Sequence, residues 1–185
     1  LEETARALDL VVKQGKALYV GVSNYTAEQT KAITKIFDEL GTPFIGNQVS
    51  YNMLNRTAEK DGLLDVLDQN HAGLVAYGPL AEGLLTDRYL KEIPADYPIH
   101  PTNQFLFKNG KDALIAKLNA LNAIAQGRGQ KLSQMALAWL LKDERVATVV
   151  IGASKVEHLV DNLKFSDNLD FSAAELKEIQ AILDK

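Results

Sequence analysis

Polar side chains collect just after four apolar runs of this sequence, and their types suit the binding of a ligand with an amide, a ring and phosphates. The first run ends in Ser23-Asn24, the second carries Gln48, the third passes into "YGPLAEG" from Tyr77, and the fourth into "GASK" from Gly152. Asn and Gln each donate and accept hydrogen bonds, which matches a carboxamide. Tyr77 offers a flat face to a ring. In "IGASKVEHL", Gly152 and Ser154 stand just before a helix pattern, where free N–H groups and the helix dipole favour an anion such as phosphate. Each group also has a plainer use. Asn24 can shape a turn, Gln48 and Tyr77 can satisfy backbone or core, and Ser154 with Glu157 reads equally as a capping box. Four successive strand ends with suitable groups favour a site.

The elements that must position these groups alternate. Four mostly continuous apolar runs, Ala17–Val22, Phe44–Val49, Gly73–Tyr77 and Ala147–Ile151, read as strands covered on both faces. Between them Ile33, Ile36, Phe37 and Leu40 draw one helical stripe, with Thr26 and Gln29 as its capping box. Leu114, Leu118, Leu121 and Ala125 draw another, closed by the glycines of "QGRGQ", and Leu132, Met135, Ala136, Trp139 and Leu140 continue into a further helix. Ser172 and Glu175 cap the last helix, which carries Leu176, Ile179 and Leu183. The first helix turns Leu1, Ala5, Leu8 and Val12 inward and stops at Gly15. This order calls for an α/β fold with parallel strands and right-handed crossovers. Four strands are too few to close a (β/α)₈ barrel, so the fold is a small open sheet or half of something larger. Lys91–Gly110, with three of the five prolines, has no period and reads as a lid or a mobile insertion.

Composition excludes several classes. The 185 residues are 46% hydrophobic and 24% charged, which suits one domain with a sizeable core. The net charge of −4, with signs interspersed, gives no footprint for nucleic acid. No run reaches the ~18–20 apolar residues of a membrane span. The N-terminus lacks the layout of a signal peptide, and the absence of cysteine fits a cytoplasmic location. The opening Leu1, in place of methionine, reads as a cut, processed or partial chain. His71, His100 and His158 are scattered, and neither a G-x-G-x-x-G turn, a Walker loop nor a G-x-S-x-G elbow is present. A binding face is legible; a set of acid, base and nucleophile is not.

In order and spacing, "GKALYVGVSNY", "GNQVSYNML", "LVAYGPLAEGLLTDRY" and "LSQMALAWLLKDERVATVVIGASKVEHLVDNL" resemble the C-terminal half of aldo-keto reductases. The nearest resemblance is to the branch holding bacterial glyceraldehyde-3-phosphate reductases and voltage-gated potassium channel β-subunits. It implies strands 5–8 of a TIM (β/α)₈ barrel with outer helices. Residues 1–185 would form the C-terminal half-barrel, with a long loop at 91–110 and a C-terminal helix at 172–185. It also implies NADPH-dependent reduction of aldehydes or ketones. Ser23, Asn24 and Gln48 would hold the nicotinamide carboxamide, and Tyr77 would stack on its ring. Gly78, Pro79, Leu80, Ala81 and Gly83 would line the pyrophosphate, with Arg88 near a phosphate. Gly152 and Ser154 would meet the adenosine phosphate, Asp161 and Asn162 the adenine.

The resemblance has two departures. The family's catalytic Asp, Tyr, Lys and His lie on the first four barrel strands, outside this chain, so no catalytic residue is expected here. Pro98 falls about where an arginine often meets the 2′-phosphate, and His158, also at the cofactor, stands where the branch tends to have Gln or Arg. NADH therefore stays open beside NADPH. The expected partners are a small carbonyl substrate and either the N-terminal half of the barrel or a second copy, with no nucleic acid, membrane or metal. Two other readings stand beside an enzyme half: a non-catalytic nucleotide-binding or regulatory module, and an inactive half-barrel that self-associates.

Overall fold

The structure, a computed structural model, describes residues 1–184. Along the chain run α1 (Glu2–Lys13), β1 (Val20–Ser23), α2 (Ala27–Leu40), β2 (Phe44–Ser50), α3 (Thr57–Lys60), α4 (Leu63–Gln69), β3 (Gly73–Tyr77), α5 (Lys111–Gly127), α6 (Leu132–Leu141), β4 (Val146–Val150), α7 (Val156–Leu163) and α8 (Ala173–Leu183). The strands form one sheet in the order β1-β2-β3-β4. β1 with β2, and β2 with β3, pair in parallel. Among the described residues no helix is long and apolar enough to cross a membrane.

The chain folds as two compact units. The first comprises residues 1–51, 56–77 and 144–148. In it the helical periods land as expected: Ala5 of α1 and Ile33 and Phe37 of α2 close on Val20, with Leu8, Val12, Ile36, Leu40 and Phe44 packed around them. Thr26 and Gln29 form the reciprocal cap of α2, and Gly41 ends that helix at φ +71°. A buried asparagine ties strand to helix, as Asn47 Nδ2 donates to Tyr25 O at 2.8 Å and to Thr30 Oγ1 at 2.9 Å. Leu1, expected inward, is half exposed, because it lies before the first helical turn and serves only as the N-cap position.

The expectation of strands covered on both faces does not hold. Val20, Asn47, Val49, Leu74, Ala76 and Val146 are buried, while Gly21, Ile45 and Ala147 are exposed. The first strand also begins at Val20 rather than Ala17, leaving Leu18 and Tyr19 in solvent. A row of small residues, Gly21, Gly46 and Gly73 in register, ends against Ala147. Gly21 and Ala147 of this row are exposed while Gly46 is buried, and such residues carry no polarity signal, so the runs read as continuous whatever lies over them.

The second unit comprises residues 52–55, 78–143 and 149–185. Its centre is α6, buried almost all round from Leu132 to Leu140, with α5 packed on it and α8 on α5. Leu114, Leu118, Leu121 and Ala125 are the buried stripe of α5, and Ile179 that of α8. The buried Arg128 guanidinium anchors the C-terminal segment, donating to Glu175 at 2.7 Å and Asn168 O at 3.2 Å and lying 3.8 Å over the Phe171 ring. The segment 91–110 has more structure than its composition suggests: Pro101–Phe107 form a 3₁₀ helix capped by His100, a short period that prolines conceal. Ser154 is not a helix cap, since Lys155 takes the N-cap position of α7 without a capping side chain.

Candidate functional site

Two groups of polar residues stand out, one in each unit. In the first unit the ends of β1, β2 and β3 bring Ser23, Asn24, Gln48 and Tyr77 together. Parallel register places Ser23 opposite Gln48 and Ser50 opposite Tyr77. The Gln48 carbonyl accepts from both Ser23 Oγ and Asn24 N at 2.9 Å. Asn24 has φ +58°, a left-handed turn that asparagine tolerates better than most residues. Its Oδ1 accepts the Tyr77 hydroxyl at 3.0 Å. Asn24 thus serves the turn and also aims its amide at the strand ends. The group is exposed and acts as a small donor and acceptor patch beside a half-buried aromatic ring.

In the second unit a cavity of about 600 Å³ opens among the residues that follow β3, the start of α6 and the start of α7. That size lies in the usual range for a small-molecule site. Its walls carry Gly78, Pro79, Leu80, Gly83 and Arg88 from one segment, and Gly152, Ser154, His158, Asp161 and Asn162 from another. Ala81, expected beside them, is fully buried and does not line the cavity; its backbone is left-handed, with φ +48°. The sequence reading missed Glu82, Thr86, Asp87, Lys131 and Ser133, which also line the cavity. The lysine has no local signature; only the packing of α6 on α7 brings it in.

Charge in the cavity is mixed: Arg88 and Lys131 share its walls with Glu82, Asp87 and Asp161. Lys131 Nζ meets Asp161 at 2.8 Å, and this hydrogen bond raises the lysine's pKa, so it stays charged. Gln134 joins the two helices, accepting from Lys131 N and donating to Asp161 O, each at 2.9 Å. Thr86 Oγ1 donates to Gly83 O and accepts from Arg88 N, fixing the arginine's segment. Glycine backbone, hydroxyls and two cations suit a phosphate group. The Asp161 and Asn162 side chains, able to accept at one and to accept and donate at the other, suit a base edge or ribose hydroxyl. The donor set suits a ligand that carries an anionic group together with a polar ring or hydroxyls.

Comparison with known proteins gives one consistent answer. A family model described as "Aldo/keto reductase family" matches residues 1–184. The L-glyceraldehyde 3-phosphate reductase of Escherichia coli K12 is 46% identical over 183 residues, covering 97% of this chain and 53% of that protein. A probable voltage-gated potassium channel subunit beta of Oryza sativa subsp. japonica is 31% identical over 195 residues, covering 99% of this chain and 57% of that one. Among solved structures, a thermostable aldo-keto reductase in complex with the inhibitor epalrestat superposes with a TM-score of 0.71 at 29% identity, over 98% of this chain and 54% of its own. An aldo-keto reductase of Bacillus halodurans in its holo form has the same fold, with a TM-score of 0.73 at 22% identity over 98% and 55%. This chain spans about half the length of the curated relatives it matches.

Proposed function

Because this chain belongs to the aldo/keto reductase family, we propose that it is the cofactor-binding, C-terminal half of a (β/α)₈ barrel that reduces aldehydes or ketones with NADP(H). The single observation that supports this reading is the second unit's cavity, where glycine backbone, Ser154, Arg88 and Lys131 supply donors beside the carboxylates of Glu82, Asp87 and Asp161.

A nicotinamide held by these residues would supply the hydride for carbonyl reduction. The chain's own residues bind and orient. Ser23, Asn24 and Gln48 take the carboxamide, and Tyr77, held by its hydrogen bond to Asn24, presents a ring face. Gly78, Pro79, Leu80 and Gly83 would follow the pyrophosphate, Arg88 would neutralise charge, Gly152 and Ser154 would receive the adenosine phosphate, and Asp161 with Asn162 would hold the adenine. His158 lies at the same wall and would also meet the cofactor. The proton donor for the nascent alkoxide lies outside this chain, so the chain by itself binds without turnover. We read its partners as a small carbonyl compound and the first half of the barrel, and its location as the cytoplasm.

Calorimetric titration of the chain with NADPH, and in parallel NADH, tests the reading. Saturable binding of one or both nucleotides, with no loss of reduced-nicotinamide absorbance on adding an aldehyde, is the expected result, and the ratio of the two affinities gives the cofactor preference. Absence of binding by either nucleotide overturns it for this chain.

A further inference from the structure

The turn after β3 is held in a conformation its sequence does not favour. Gly78, Ala81, Glu82 and Gly83 have φ of +60°, +48°, +52° and +89°. Glycine adopts such angles freely, but for Ala81 and Glu82 the Cβ presses on the following carbonyl. Successive non-glycine residues in this region persist only where the surroundings over-determine them. Gly78, Pro79, Leu80, Glu82 and Gly83 all line the cavity, so this turn is a cavity wall.

The surroundings that hold it come from the segment 91–110. The Tyr97 hydroxyl is shared between Ala81 O at 3.1 Å and Glu82 O at 3.3 Å. Tyr97 is only 6% exposed, its ring edge-on to Tyr89 and beside Phe107. Burial, then the nearby Glu82 charge, pushes its pKa up, so the phenol remains a donor. Asn103, 1% exposed, donates Nδ2 to the Glu82 carboxylate at 2.6 Å. The start of the turn is held too: the buried Asn52 donates to Gly78 O at 2.9 Å, and its Oδ1 accepts from Leu54 N and Asn55 N. Asn55 in turn reaches Thr102 O. Lys111 Nζ caps Ile93 O, tying the segment to α5.

We infer that the 91–110 segment is a brace for the cavity wall, with Tyr97 and Asn103 as positioning residues that hold Ala81 and Glu82 left-handed. That the wall contacts nucleotide phosphate rests on the function proposed above; that the segment holds the turn does not. Neither residue touches the ligand in this scheme. They act through the turn.

Two readouts separate these claims. Hydrogen exchange at Leu84 and Leu85, whose N–H groups bond Ala81 O and Leu80 O, reports on the turn without any ligand. NADPH titration reports on the site. Tyr97→Phe keeps the ring and removes only the hydroxyl. It is expected to speed exchange across 81–86 and to weaken NADPH, each by about tenfold, the scale of one buried hydrogen bond. Asn103→Ala is expected to do the same. Ala81→Gly, which accepts positive φ without the Cβ penalty, should slow exchange in the parent chain. In the Tyr97→Phe background it should restore both readouts, which a general loss of packing would not permit. Unchanged exchange in Tyr97→Phe, or a deficit that Ala81→Gly leaves intact, overturns the brace. If exchange responds as stated while the parent chain binds no NADPH, the brace stands and the nucleotide reading falls.

Discussion

Tyr77 Oη donates to Asn24 Oδ1 at 3.0 Å across 53 residues of sequence, joining the ends of β1 and β3. This contact gives Asn24 two separable duties, one in its backbone and one in its amide. Asn24→Gly keeps the φ of +58° accessible and deletes the amide, whereas Asn24→Ala burdens the backbone as well. Thermal unfolding should therefore show Asn24→Ala less stable than Asn24→Gly by on the order of 1 kcal/mol. Nucleotide titration should show both variants weakened equally. A glycine variant that binds like the parent would remove the amide from the proposed site.

The C-terminal helix carries an acid-sensitive anchor. The Glu175 carboxylate accepts from Ser172 N and from Arg128, while its own backbone N–H donates to Ser172 Oγ; hydrogen bonding to Ser172, side chain and then backbone, followed by Arg128, pulls its carboxyl from 4.5 to about 2. A carboxyl depressed on folding stabilises the fold fully above its unfolded value and loses that contribution as pH falls through its folded value. Stability should thus decline from about pH 4.5 toward pH 2. In urea titrations at several acidic pH values, Glu175→Gln should start lower at neutral pH and show a flatter curve over this window.

The glycine row across the sheet makes a graded prediction. A methyl at Gly46 would stand 2.3 Å from Gly73 O, one at Gly73 2.6 Å from Ala147 Cβ, and one at Gly21 3.0 Å from Gly46 O. Backbone and a short methyl have nowhere to move without opening the ladder. Alanine should destabilise in the order Gly46, Gly73, Gly21, with Gly46→Ala costing roughly 2–3 kcal/mol. Urea unfolding midpoints of the three variants check the order.

Leu18, Tyr19 and Ile45 are each more than half exposed on or beside β1 and β2. Open parallel strands and exposed apolar side chains drive association. At micromolar concentration the chain should scatter light as more than a monomer, and Ile45→Lys should shift it toward monomer. Monomer mass for the parent chain would contradict the self-association reading.

Helix positions and caps were legible because they are local. The stripe of Ile33 and Phe37, the boxes of Thr26 with Gln29 and Ser172 with Glu175, and the strand Gly73–Tyr77 depend on neighbours a few residues away. The strand-end residues Ser23, Asn24, Gln48 and Tyr77 could be singled out for the same reason, since parallel topology puts such ends on one edge. What the tertiary structure alone decided is non-local. Lys131 reaches Asp161 only because α6 packs on α7, and the left-handed turn at Ala81 and Glu82 lies where Tyr97 bonds their carbonyls and Asn103 the Glu82 carboxylate. The residue types of Ala81 and Glu82 argue against that backbone, so no propensity could have announced it. Exposure along the sheet was equally silent: glycine and alanine look the same in a sequence whether another layer covers them or not.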